Sequence, residues 1–368
     1  MQTAKLQLLI VTTLAFVMAA CGSQAFQARM KVAPSEKTET PDRGELSSGE
    51  PLFEDELEPP PSLTAPEAPS AAPLKICSKL PFSSKLVWPQ ALPVAQRDAL
   101  KLALNISGSF EGSRGWANLT GDFDGMGVSL GLLNQNLGSG SLQPMLLQMR
   151  DLYPSALKRT FSPAHLSSLL KMLKDWEAVH GNRYLGFSRD IFGRLSLLDE
   201  DRGGVMMALP KAEQASVTWA RANLFSGKKF NEVWAKELKA MAETPEYISI
   251  QINRALDYHD EALALIKQTK NTELRSYLLM FDFVVQNGGL YQEDLTDYRK
   301  WSAANPSATQ TQRLSKILEL RLRHVRAAYV TDVRIRKTAI INGKGTVHKA
   351  DRNLETEYCF QRLNLYPL

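Results

Sequence analysis

Three acidic residues, Glu111, Asp122 and Asp124, lie within fourteen positions of each other in a glycine-rich stretch. A helix predicted over 97–110 ends just before Glu111, and Gly112 can adopt the left-handed conformation that stops a helix. A carboxyl group at a helix C-terminus faces the negative end of the helix dipole, which favours its protonated form. The pattern therefore predicts a proton donor at Glu111.

The two aspartates follow on a segment that we expect to be extended. Asp122 and Asp124 are two positions apart, so in a strand both side chains would point to the same face. An ionised carboxylate there, paired with a protonated Glu111, is what hydrolysis of an acetal such as a glycosidic bond requires. The alternative from the residues alone is that these acids are turn and cap residues beside glycines.

Residues 106–149, from Ile-Ser-Gly-Ser-Phe-Glu-Gly to Leu-Gly-Ser-Gly-Ser-Leu-Gln-Pro, resemble the start of the catalytic region in the chitosanase branch of the lysozyme-like superfamily. They are still more similar to the bacterial peptidoglycan hydrolases of that branch, which include the deacetylated-peptidoglycan-specific lysozyme of predatory bacteria. Segments 281–289 and 332–348 match in the same order, so the resemblance covers roughly 100–359. It implies an α+β, mostly helical, lysozyme-like or chitosanase-like fold with a small β hairpin near the catalytic residues.

The resemblance also implies catalytic roles. Glu111 matches the general acid, and Asp124, in Asp-Gly-Met-Gly-Val-Ser, matches the general base. Ser129 matches a hydroxyl that helps to hold the attacking water, although the family has Thr there. Asp122 is the rival base. Chitosanases of this type invert, which implies carboxyl groups about 6.5–9.5 Å apart with water between them.

Four further residues are candidates for binding sugar. Gln135 and Asn136 match a segment that lines the cleft in the family, and their amides suit hydroxyl and acetamido groups. The aromatic residue that the family more often has near this point is missing. Asn287 and His348 are candidates for the far wall, although an Asn-Gly-Gly sequence is also typical of a helix end.

The N-terminus has the features of an export signal. Lys5 precedes an apolar run over 6–20, which is too short to span a bilayer, and residues 1–20 are predicted to be a signal peptide. Met-Ala-Ala-Cys at 18–21 resembles a lipobox, which implies lipidation of Cys21. Gly22, rather than Asp, follows the cysteine, and resemblance to Gram-negative lipoproteins then implies a place in the bacterial envelope, at the outer membrane or in the periplasm. The alternative is an ordinary signal peptide cut after Ala20.

Residues 21–73 are predicted to be a disordered tether. Segment 22–73 contains nine of the nineteen prolines, with ten acidic and four basic residues. Such a composition buries too little apolar surface to offset the entropy of folding. The rest of the chain, 74–368, is predicted to be one catalytic domain.

Helical periodicity dominates this domain after Pro73. Apolar residues recur at helical spacing over 166–179, 247–266 and 274–285, and further helices are predicted near 97–110, 211–225, 229–242, 291–303 and 312–330. Segment 115–135 breaks the rhythm and predicts a short hairpin.

The net charge of the whole chain is +5, and the acidic tether leaves about +10 on the domain. Eight basic residues concentrate near its end, most of them predicted to form a solvated helix face: Arg313, Lys316, Arg321, Arg323, Arg326, Arg334, Arg336 and Lys337. A basic body repels a polycation such as chitosan and attracts the carboxylates of peptidoglycan. Charge therefore favours peptidoglycan as the substrate.

The remaining cysteines, Cys77 and Cys359, form a pair once Cys21 is acylated. In an exported protein such an even remainder predicts a disulfide between the start and the end of the domain, with two free thiols as the alternative.

Metal and cofactor chemistry is not expected. The five histidines are scattered, and none form the i, i+4 pair of a helical zinc site. The expected partners are peptidoglycan glycan strands and, through the lipid anchor only, a membrane. We expect no nucleic-acid partner and a monomer.

The resemblance and the paired carboxylates together predict a lipid-anchored hydrolase of the lysozyme type that cleaves β-1,4 bonds in cell-wall glycan, either acetylated or deacetylated. Two other classes stay open, a lytic transglycosylase and a non-catalytic peptidoglycan-binding lipoprotein.

Overall fold

The computed structural model describes residues 74–89, 92–122, 125–180, 187–189, 195–197 and 210–366. The predicted signal peptide, Cys21 and the tether lie outside these ranges, and so does Asp124.

The described chain is mostly helical with short antiparallel strands, so the predicted α+β class is confirmed. In chain order the elements are α1 Val94–Glu111, β1 Leu119–Thr120, β2 Ser129–Leu130, β3 Gln135–Asn136, α2 Gln143–Leu152, α3 Pro154–Thr160, α4 Pro163–His180, β4 Phe187–Arg189, β5 Leu195–Leu197, α5 Pro210–Asn223, β6 Phe225–Ser226, β7 Lys229–Phe230, α6 Glu232–Ala242, α7 Pro245–Thr269, α8 Leu274–Asn287, α9 Gln292–Ala304, α10 Gln310–Leu322, α11 Val330–Asn342, β8 Lys344–Val347, β9 Ala350–Asn353 and α12 Leu354–Tyr358. Single 3₁₀ turns occupy Gly115–Ala117 and Ala327–Tyr329.

The buried apolar residues form two cores. The first is built mainly from α1, α8, α10 and α11, and the second from α2 to α6. Helix α7 belongs to both, because Ile252 packs in the first core while Tyr247 and Ile250 pack in the second. Since α7 is the longest helix described, it ties the two cores together along its 25 residues.

A three-stranded sheet lies where the cores meet. Its strands run in the order β1-β2-β3, and Ser129 of β2 pairs with both Thr120 and Asn136. Leu130 packs in the second core, whereas Leu132, two residues later, packs in the first. The predicted hairpin is therefore present as the first two strands of this sheet.

The extended conformation predicted for Asp122 is wrong. β1 ends at Thr120, and Asp122 lies in a bend before β2. Its Oδ1 accepts a hydrogen bond from the Gly127 backbone N–H at 2.7 Å. Gly125 and Gly127 both have positive φ, at 81° and 79°. Glycine tolerates positive φ, a conformation that an extended strand does not contain, so the chain turns at these two glycines.

The single helix predicted over 312–330 is also wrong. α10 ends at Leu322, and α11 begins at Val330. The backbone N–H groups of Arg323 and His324 bond three residues back, which tightens the chain out of the α-helix. His324 Nε2 lies 3.0 Å from Asp294 Oδ1 of α9. This tertiary contact stabilises the turn. The turn contains no glycine or proline, so the sequence gives no local signal for it.

The two ends of the described chain are joined. Cys77 and Cys359 form a disulfide, and the Cys77 backbone N–H donates to the Tyr358 carbonyl at 2.8 Å. No helix within the described ranges is long and apolar enough to cross a membrane.

Candidate active site

Glu111 is the last residue of α1, and both of its carboxylate oxygens are bound. Arg336 Nη1 donates to Oε1 at 2.6 Å, and Asn134 Nδ2 donates to Oε2 at 3.2 Å. The side chain keeps only 7% of its accessible surface. The carboxyl group is therefore held by one partner 23 residues away in the sequence and another 225 residues away.

The helix ends at Glu111 for a different reason from the one predicted. Gly112 is extended, with φ 169°, rather than left-handed. A Cβ at Gly112 would lie 2.5 Å from Oδ1 of Asn118, and this oxygen accepts from the Arg114 backbone N–H at 2.9 Å. Glycine is needed here because the Asn118 side chain lies against the backbone.

Behind Glu111 lies a buried ionic cluster. Arg336 Nη2 donates to Asp282 Oδ1 at 2.6 Å, and Lys337 Nζ donates to the Asp282 carbonyl at 2.7 Å while pairing with its carboxylate. Asp282 and Lys337 are fully buried. With Glu111 ionised, two cations face two anions, so the cluster is electrically balanced.

The charge states within this cluster follow from burial and proximity. Burial opposes ionisation of Asp282, but Arg336 and Lys337 outweigh it and hold the pKa of that carboxyl far below its usual range. Burial likewise opposes the charge of Arg336, yet Asp282 and Glu111 raise its pKa. Burial lowers the pKa of Lys337 to about 7, against the opposing effect of Asp282. Arg336 is thus the permanent cation beside Glu111.

This cluster was not predicted from the sequence. Most of the eight basic residues are predicted to form a solvated helix face, but Arg321, Arg336 and Lys337 are buried, so the prediction does not hold for these three. The Arg321 guanidinium donates to the carbonyls of Asn287 and Gly289. A signal was present: Asp282 lies among apolar residues in the middle of a predicted helix, and a buried carboxylate requires a buried cation.

Asn134 was also missed, although its segment was singled out. It adopts φ 51°, a left-handed conformation that asparagine tolerates better than most residues. The turn from β2 to β3 brings it there, so that its amide reaches both the side chain and the backbone carbonyl of Glu111. Strained backbone of this kind often occurs where a side chain must be placed for function.

Asp122 binds a different set of partners from Glu111. Its Oδ2 accepts from Arg221 Nε of α5, and its Oδ1 accepts from Gly127. The side chain is 16% exposed. Both oxygens are therefore engaged in holding the loop before β2. Asp124 lies outside the described residues, and Ser129 is buried in β2; their catalytic roles stay predictions.

Gln135 and Asn136 are buried in β3. The Gln135 amide donates to the Tyr258 hydroxyl at 3.0 Å, and Gln135 lines a small cavity together with Trp116 and Arg254. Asn136 Oδ1 accepts from the Ser139 backbone N–H at 2.8 Å. In this conformation the Asn136 side chain stabilises the turn that follows the strand, and sugar binding by either amide stays a prediction.

His348 and Gln286, the neighbour of Asn287 at the end of α8, both contact Asp332. Gln286 donates to Asp332 Oδ2 at 3.4 Å, and His348 Nε2 lies 3.0 Å from Asp332 Oδ1. Asp332 is one helical turn before Arg336 on α11. The Asn287 backbone carbonyl accepts from Arg321 instead, and sugar binding by Asn287 and His348 stays a prediction.

No group of histidine, cysteine, aspartate and glutamate side chains in the described residues is arranged to hold a metal ion.

No protein-family model matches this chain, and no curated protein matches it. A solved structure described as "Chitosanase complex structure" covers 73% of this chain and 99% of its own, with 15% sequence identity and a TM-score of 0.38.

Proposed function

We propose that this protein is a glycoside hydrolase of the lysozyme-like, chitosanase-related type that cleaves β-1,4 bonds of peptidoglycan, with Glu111 as the general acid. The proposal rests on the position of the Glu111 carboxyl group. Arg336 and Asn134 both bind it, beside the small sheet where the two cores meet. The basic charge of the domain supports an anionic glycan as the substrate.

Catalysis begins with Glu111 protonated. The contact from Asn134 is the longer of its two hydrogen bonds, so Oε2 is the oxygen that can turn to the substrate. Its proton passes to the glycosidic oxygen as the bond to the anomeric carbon breaks, and the resulting carboxylate stays paired with Arg336. Charge thus develops on Glu111 next to a cation that is already in place.

The second carboxylate removes a proton from the attacking water, whose oxygen bonds to the anomeric carbon. Asp122 uses both oxygens to hold its loop, which supports Asp124 as the base and Asp122 as the residue that positions it. The base then releases the proton that it took from water, and Glu111 takes up one proton from solvent, which completes the cycle.

Replacement of Glu111 with Gln tests the acid. We expect sacculus hydrolysis to fall by at least about 10²-fold, because proton donation is lost, while the melting temperature changes little. Glu319→Gln, on the exposed side of α10, is the control. Unchanged hydrolysis in Glu111→Gln would refute the assignment.

Parallel Asp→Asn changes at 122 and 124 test the base. We expect Asp124→Asn to lose at least about 10²-fold in activity and Asp122→Asn to lose thermal stability first, since it breaks the pair with Arg221. The opposite ranking would make Asp122 the base.

Mass analysis of the products decides the reaction type, because a lytic transglycosylase leaves anhydro ends and a binding lipoprotein releases no fragments.

We further propose that the protein is exported and anchored to the bacterial envelope through a lipidated Cys21, as the sequence at 18–21 suggests. Cys21→Ser should then move the protein from the membrane fraction to the soluble fraction. If it remains with the membrane, lipidation at Cys21 is not the anchor.

A further inference from the structure

The hairpin formed by β6 and β7, from Phe225 to Phe230, is attached to the loop of Asp122. A Cβ on Gly121 would lie 3.0 Å from Cε1 of Phe225, so the phenyl ring rests directly on the backbone before Asp122. Phe225 and Phe230 pack edge to face, with ring centroids 4.7 Å apart. The base of the hairpin is therefore an aromatic pair that touches the candidate active site.

Arg221 forms a second attachment. It lies in the last turn of α5, four residues before Phe225, and its guanidinium binds the Asp122 carboxylate and reaches the Gly125 carbonyl at 3.5 Å. Its side chain is nevertheless 48% exposed. Arg221 therefore offsets the negative charge of Asp122 on this flank.

The tip carries two lysines in open surroundings. Lys228 and Lys229 are exposed, and nothing lies within 4 Å of where a Cβ on Gly227 would be. Lys229 pairs with Glu232 at 3.2 Å, but their side chains are 80% and 85% exposed. An ion pair this exposed contributes at most about 1 kcal/mol and is easily exchanged. Within the part of the chain that the structure describes, Lys228 has no ion pair.

We propose that this hairpin, Phe225–Phe230, binds the carboxylate groups of the glycan strand on the Asp122 side of the site. The inference rests on the proposed function and narrows it: the preferred substrate is a glycan that carries carboxylates, and a polycation such as chitosan is disfavoured. A glycan strand that lies across the Asp122 loop passes the base of the hairpin, where the phenyl rings of Phe225 and Phe230 offer apolar surface. The ammonium groups of Lys228 and Lys229 then stand over its substituents.

The expected effect of the two lysines is small because both are exposed. Together the two ammonium groups account for roughly a fivefold change in kcat/KM on an anionic substrate, which corresponds to about 1 kcal/mol in total. Such attraction is screened by salt, because the Debye length falls from about 10 Å at 0.1 M to about 3 Å at 1 M ionic strength. The advantage of sacculi over a neutral glycan should therefore shrink as salt is added.

The test compares the double variant K228A/K229A with the wild type on two substrates, sacculi and neutral N-acetylglucosamine oligomers. We expect roughly fivefold lower kcat/KM on sacculi, a weaker salt dependence, and at most a twofold change on the neutral oligomers. The matched control is K267A/K300A, which removes the same charge from exposed positions on α7 and α9. K228R/K229R keeps the charge and should retain wild-type activity.

Two results would overturn the inference: an equal loss on sacculi and neutral oligomers, or an equal loss in the control variant. Sacculi stripped of their stem peptides identify the source of the carboxylates. Removal of the stem peptide frees the lactyl carboxylate, which is otherwise part of an amide. If the lysine effect persists on stripped strands, the hairpin can bind a lactyl carboxylate, and if it disappears, the peptide carboxylates are the groups that it binds.

A binding readout separates this inference from the proposed function. Co-sedimentation with sacculi in the Glu111→Gln background measures binding without hydrolysis. If the wild type cleaves no glycan but K228A/K229A still weakens co-sedimentation, the proposed function fails and the binding surface stands. If co-sedimentation is the same with and without the two lysines, the binding surface fails.

Discussion

The environment of Glu111 is set by a cation that already has another counter-ion. Arg336 donates to Asp282 through two of its nitrogens, Nε and Nη2, and to Glu111 through Nη1 alone. Asp282 is fully buried, so it stays close to Arg336 whatever the protonation state of Glu111. Glu111 can therefore gain or lose a proton without leaving Arg336 unpaired in the core.

Asp282→Asn tests this arrangement. It leaves Arg336 and Lys337 buried with only Glu111 to offset them, and removal of one partner from a buried ion pair costs about 3–5 kcal/mol. We expect the free energy of unfolding in urea to fall by that amount. The control is Asp297→Asn, which breaks an exposed pair with Arg323 and should leave the free energy of unfolding almost unchanged. Equal effects from the two changes would contradict a structural role for the cluster.

At this scale the sequence predicts the acids better than the residues that bind them. Glu111 stands out because glycine and a helix end surround it. Arg336 does not, because its partners lie 225 and 54 residues away and nothing local distinguishes it from its exposed neighbour Arg334. Pairing across such distances is decided by the packing of α1, α8 and α11.

At the scale of elements, the small sheet is positioned by close backbone contacts. Gly131 has φ 90°, and a Cβ there would lie 2.5 Å from Oε1 of Gln251. That oxygen accepts from the Leu132 backbone N–H at 2.8 Å, and the Gln251 amide also donates to the Trp116 carbonyl. Gln251 of α7 thus fixes the turn that carries Asn134 to Glu111.

Gly131→Ala should disturb both the fold and the site. A left-handed alanine and a clash with Gln251 together should cost about 2–4 kcal/mol in thermal or urea unfolding. Gly227→Ala is the matched control, because Gly227 also has positive φ, at 61°, but open space around it. We expect it to cost about 1 kcal/mol. A loss at Gly131 no larger than at Gly227 would show that contact with Gln251 is unimportant.

Helices could be predicted from the sequence, but the irregular segments between them could not. Periodicity located α4, α7 and α8 because their apolar stripes face a core. The bend at Asp122 and the turn after Leu322 depend instead on a side chain bonding to backbone and on His324 reaching another helix. Those contacts exist only once the tertiary structure has formed.

At the scale of the whole molecule, the first and last segments stabilise each other. Lys79 and Arg352 both bind the Glu357 carboxylate of α12, close to the disulfide between Cys77 and Cys359. Burial opposes ionisation of Glu357, but the hydrogen bonds from Arg352 and Lys79 outweigh it and lower its pKa to about 2 from the usual 4.5.

This shift predicts a pH dependence. A carboxyl whose pKa is lower in the folded state stabilises the fold above the unfolded value and loses that contribution as the pH falls through the folded one. The contribution of Glu357 should therefore be complete above pH 4.5 and disappear between 4.5 and about 2. Melting curves of the wild type and Glu357→Gln should differ most above pH 4.5 and converge below it. A constant difference across this range would contradict the assignment.

The disulfide also decides how the folded body responds to a mechanical load. The chain leads from its N-terminal part into the body at Cys77, and the bond to Cys359 passes any pull directly to the far end of the chain. Force applied from that side is therefore shared between two backbone segments before it reaches α1. The helix that ends in Glu111 is therefore not the first element to carry such a load.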